Sequence, residues 1–127
     1  MEKNQKEEST GSLLHDIGAE LKRLFQALLG KQTLASYLET ISEFTDNTIR
    51  NAEQQESLDY QTGECALQYD AQQKKVITQI KLRFQNATGT WLQKEARRSI
   101  DENRFLTGEL NGLKTVQNLT FEVKAPK

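Results

Sequence analysis

The sequence predicts an α+β fold: an N-terminal antiparallel helical hairpin packed on a small antiparallel sheet. Three observations predict it. Apolar residues recur at helical spacing up to about residue 56, the two helical stretches are separated by only a few residues around Gly30, and the period changes to two after Ser57.

The first helix is expected over residues 13–29. Leu13, Leu14, Ile17, Leu21, Leu24, Phe25 and Leu28 share one face, with Lys22, Arg23 and Gln26 opposite. Ser12 supplies an N-cap hydroxyl, and Gly30 can take the left-handed conformation that ends a helix. Thr33 caps a second helix over about 34–56, whose stripe is Leu34, Tyr37, Leu38, Ile41, Phe44, Ile49 and Ala52. The short connection between them favours a hairpin.

Val76, Thr78, Ile80, Leu82 and Phe84 alternate with Ile77, Gln79, Lys81, Arg83 and Gln85, the signature of a strand with one buried face. Residues 65–69 are its expected hairpin partner across a turn at 70–73. Leu119, Phe121 and Val123 mark a third strand, ended by Pro126. Residues 90–107 fit a third helix better than a strand. Leu92, Ala96, Ile100 and Leu106 form a stripe, and Thr90 and Gln93 fit a capping box. Asn111-Gly112 reads as a hairpin turn or a helix end. Residues 1–11 read as a disordered tail and 12–127 as one globular domain.

Composition excludes several classes. Leu, Ile, Val and Phe supply 30 of 127 residues, above the level of a disordered chain. No apolar run approaches the roughly 20 residues needed to span a bilayer. The first residues show no secretory or lipid-anchor signal, so the expected address is cytoplasmic. Cys65 is the single cysteine and His15 the single histidine. An intrachain disulfide and a cysteine-based zinc site are therefore excluded. Glu64 beside Cys65 would raise the thiol pKa rather than activate it. Asp16/Glu20 and Asp101/Glu102 lie in stretches expected to be exposed, where nothing separates the acidities of two carboxylates. Phosphate-loop and dinucleotide-binding glycine patterns are absent. The chain is expected not to be an enzyme and to need no cofactor or metal.

Charge is distributed unevenly along the chain. Residues 1–60 hold six Lys/Arg against eleven Asp/Glu, whereas residues 74–104 hold eight against three. Glu39, Glu43 and Asp46, with Glu53 and Arg50, fall on the polar side of the second helix. With Trp91, expected off the apolar stripe of the third helix, Glu39, Glu43 and Asp46 make a candidate partner-binding surface. The leading expectation is a small accessory or regulatory protein acting by protein–protein interaction. Self-association is a second expectation, through acidic helices of one copy and the basic segment of another. The alternative is a nucleic-acid-binding module using Lys81, Arg83, Lys94, Arg97 and Arg98.

Overall fold

A computed structural model describes residues 17–26 and 30–126, with the side chains of Phe25 and Gln26 outside that description. The tail expected over 1–11, the cap expected at Ser12, and His15 also lie outside the described residues. Helix α1 spans Ile17–Gln26 and α2 spans Leu34–Gln55. Thr33 caps α2 as expected: its Oγ1 accepts the Ser36 N–H at 3.0 Å, satisfying an otherwise orphaned donor. Ile17 and Glu20 line one cleft with Thr48, Asn51 and Gln55, and Leu24 lines the next with Phe44 and Asn47. The two helices therefore run antiparallel.

Four strands follow: β1 (Asp59–Asp70), β2 (Lys75–Gln85), β3 (Trp91–Asp101) and β4 (Asn118–Glu122). They form one antiparallel sheet in the order β3-β2-β1-β4. The β2 alternation is strict. Val76, Thr78, Ile80, Leu82 and Phe84 are fully buried toward the helices, and the residues between them are half-exposed. α1 packs on β3 and α2 on β1. On the opposite face of the sheet the side chains are half-exposed or exposed, and no described helix is seen to pack there. Asp70 makes the β1–β2 turn, its carboxylate accepting the N–H groups of Gln72 and Gln73 at 3.0 and 3.1 Å.

Residues 91–101 are a strand, not the helix expected over 90–107. The cause is the pairing demand of β2, which finds its second neighbour here in unbroken register from Gln85/Trp91 to Lys75/Asp101. The expected capping residue Thr90 lies in the β2–β3 turn, where Asn86 Oδ1 accepts the N–H groups of Thr88 and Thr90 at 3.0 Å. The alternation is hard to see in the sequence because Lys94 and Arg98 occupy the helix-facing side with Leu92, Ala96 and Ile100.

After β3 the chain crosses beneath the strand ends. A 3₁₀ turn at Glu102–Arg104 leads to a parallel bridge between Gln32 and Phe105. Gln32 donates to the Arg104 carbonyl and Leu106 donates back to Gln32, both at 2.9 Å. The Phe105 ring meets Tyr37 edge-on at 5.2 Å. This stitch ties the helix connection to the crossing segment. Asn111 and Gly112 then open a short helix, α3 (Asn111–Val116), rather than forming a hairpin turn or a helix end. Burial of Leu110 and Leu113, one helical turn apart, outweighs local turn chemistry.

Gly63 pairs with Leu82 just beyond the β1–β2 register shift, which falls between Tyr60 and Thr62. The Tyr60 ring folds across it, and the hydroxyl donates to the Val123 carbonyl. A Cβ at Gly63 would lie 2.6 Å from that hydroxyl and 2.8 Å from the Lys81 carbonyl oxygen. The backbone oxygen cannot give way cheaply. Gly63→Ala is expected to destabilise the protein by about 1–3 kcal/mol, the usual cost of overpacking. Urea unfolding checks it, and an unchanged midpoint would contradict the close approach.

Candidate interaction surfaces

Two of the five basic residues expected on one surface face the helices instead. Lys94 is 2% exposed, and its Nζ lies 3.0 Å from Glu56 Oε2 at the C-terminal end of α2. Burying this ammonium costs several kcal/mol, which one partly exposed carboxylate only offsets. Arg98 is half-buried and shares a narrow pocket with Gln32, Tyr37, Ile100, Arg104 and Phe105. Lys81, Arg83 and Arg97 stand on the open face. The register sets Lys81 between Glu64 and Glu95, with Glu122 beyond Glu64. Strand pleating thus divides the basic segment between two faces, and carboxylates break up the exposed part.

The residues expected to bind a partner are also divided. Glu39, Glu43 and Glu53 are exposed and Asp46 is half-exposed on α2; Asp46 borders the cleft between α2 and β4, and the Glu53 carboxylate accepts the Tyr60 N–H of β1 at 3.5 Å. Trp91 is 54% exposed, but it opens β3 on the far side of the sheet, opposite Gln85. The acidic stripe and Trp91 do not form one surface.

The chemically reactive groups are restrained. Cys65 is buried among β1 and β2 side chains, and burial pushes its thiol up to about 12. The Tyr37 hydroxyl hydrogen-bonds the Thr78 hydroxyl in the core, and burial raises its pKa. The Tyr69 hydroxyl donates a hydrogen bond to the Glu102 carboxylate, and Lys114 Nζ lies 3.6 Å from the same carboxylate and 5.3 Å from the centre of the Tyr69 ring. That hydrogen bond, with Lys114 and Lys74 nearby, holds Glu102 below the usual carboxylate range. These groups satisfy one another at the rim of a polar cleft of about 400 Å³ lined by Lys31, Asn103 and Thr107. Among the described residues, no three His, Cys, Asp or Glu side chains gather where they would hold a metal ion. No described helix is long and apolar enough to cross a membrane.

The surface that sequence reasoning missed is the β4 edge. Leu119 is 40% exposed and Phe121 37% exposed on the helix side of the sheet, and Val116 is exposed just before them. Phe121 borders a cleft of about 390 Å³ with Ile41, Thr45 and Asp46 of α2. Alternation correctly places Leu119 and Phe121 with Cys65 and Leu67. The missing signal is position in the sheet: α2 packs over β1, and β4 lies beyond it.

No family model, curated protein or solved structure matches the chain. The reading of its surfaces therefore stands on their geometry.

Glu56→Ala alone should cost about 2 kcal/mol by stranding a buried ammonium, less than a fully buried pair because Glu56 is 27% exposed. Glu56→Leu combined with Lys94→Met should recover or exceed the parent stability, and equal losses in the two variants would contradict this account. Cys65 should resist a water-soluble disulfide reagent at about pH 8 until the chain is unfolded. Its thiol is raised from 9.0 to about 12, so the native state keeps a proton that the unfolded chain releases. This contribution leaves stability unaffected below pH 9 and lowers it as pH rises toward about 12. Cys65→Ala should flatten that fall in urea midpoints measured against pH; an unchanged slope would exclude the thiol.

Proposed function

We propose that this chain is a small accessory protein that acts by binding another protein, works in the cytoplasm and catalyses no reaction. One observation carries the reading. The outer edge of β4 has no partner strand among the described residues, and it presents Leu119 and Phe121 to solvent. Such an edge is a ready template for strand addition: main-chain hydrogen bonds supply affinity and alternate side chains supply specificity. The adjoining cleft against Ile41 and Thr45 offers room for an apolar side chain.

The nucleic-acid alternative has less support. Its five residues are split between the two faces of the sheet, and Lys94 is committed to Glu56.

The test is capture by the immobilised protein from a native lysate after nuclease treatment, with wild type and Phe121→Lys compared. The expected result is a specific protein retained by wild type and weakened at least about tenfold by the substitution, as for an interface anchor. Capture indifferent to Phe121→Lys would overturn the β4 reading. Loss of all bound protein on nuclease treatment would transfer attention to Lys81, Arg83 and Arg97.

A further inference from the structure

We propose that the occupant of the β4 edge is a second copy of this chain. The two strands would pair antiparallel about a twofold axis at Thr120 and join the two sheets into one. The inference rests on the protein-binding reading above and names its partner.

The hydrogen-bond pattern fixes which groups face outward. Tyr69 donates to the Gln117 carbonyl and Val123 to the Gly63 carbonyl, both at 3.0 Å. Odd-numbered residues of this segment therefore bond to β1. Alternation turns the N–H and C=O groups of Asn118, Thr120 and Glu122 toward the open edge.

That edge is complementary to itself. With Thr120 opposite the second copy's Thr120, Asn118 falls opposite the second copy's Glu122. The amide then donates to the carboxylate, and no like charges meet. Leu119 falls opposite the second copy's Phe121 in the closer, non-hydrogen-bonded position. Both lie on the helix side, where a single copy leaves them 40% and 37% exposed. One register thus satisfies the outward backbone groups and covers the apolar pair.

The other edge of the sheet is built differently. β3 carries five charged residues, Lys94, Glu95, Arg97, Arg98 and Asp101, whereas β4 carries Glu122 alone. Charge along an edge strand discourages pairing, so the contrast selects β4. A twofold axis uses the same patch on both copies and closes at two, without propagating into a fibre. Paired strands of this length bury less than the roughly 1,200 Å² of stable complexes, so the dimer is expected to be weak, with a Kd in the micromolar range.

Sedimentation of the purified protein across about 5–500 µM tests the proposal. Wild type should shift from monomer toward dimer. Thr120→Pro removes an outward N–H, and proline is tolerated in an exposed edge strand. It should weaken dimerisation at least about tenfold with unchanged circular dichroism. Thr120→Cys gives an independent readout should the proline variant misfold. Opposed Cα atoms in a hydrogen-bonded antiparallel pair lie about 5.5 Å apart, within disulfide reach. Oxidised Thr120→Cys protein should run as a covalent dimer, with the buried Cys65 unable to compete.

A monomer at every concentration with no cross-link would overturn the proposal. So would a dimer that survives Thr120→Pro and fails to cross-link, since it would use another surface. If either holds while Phe121→Lys still abolishes capture of a different protein, the second copy is excluded and the protein-binding reading stands. If capture is also indifferent to Phe121→Lys, both fall.

Discussion

The burial of one face of β2 is the constraint on which this structure depends. Val76, Thr78, Ile80, Leu82 and Phe84 are removed from solvent together, and only a two-layer arrangement achieves that. Both helices must lie on this face, and the strand must be paired on both sides because its backbone groups are buried. The hairpin with β1 meets one side. The other side draws residues 91–101 into β3 although their composition favours a helix. The buried Tyr37–Thr78 hydrogen bond fastens α2 to the same strand.

A second theme is the cost of placing cations on the buried side of β3. Lys94 takes a position that an apolar residue would fill at lower free energy, and Glu56 at the end of α2 compensates it. Such a pair adds orientation more than stability, since it matches one point of β3 to the end of α2. The consequence for function is direct. A segment strongly basic in sequence is not a basic surface in three dimensions, because the pleat sends Lys94 and Arg98 inward while Glu64, Glu95 and Glu122 flank the outward Lys81. Electrostatic attraction for a polyanion depends on that spatial pattern and not on the linear count.

The two edges of the sheet express opposite designs. Charge guards β3, and beyond Trp91 its open-face residues are polar. β4 is short, nearly uncharged and incompletely covered, because two helices cover three strands more fully than the fourth. The exposure of Leu119 and Phe121 is a consequence of that geometry.

The sequence by itself determined the local elements. The 3.6-residue stripes of α1 and α2, the Thr33 cap and the alternation of β2 each report a local periodicity that solvent exclusion enforces. The α+β class follows from their order. Only the tertiary structure decided the rest. Residues 91–101 became a strand because β2 lacked a neighbour, a demand invisible within the segment. Asn111-Gly112 opened a helix because Leu110 and Leu113 found a shared hydrophobic site. Trp91 and the acidic stripe fell on opposite sides because the sheet lies between them. The exposed edge of β4 was likewise illegible: alternation reports which face a side chain takes, while exposure depends on how far the covering layer extends.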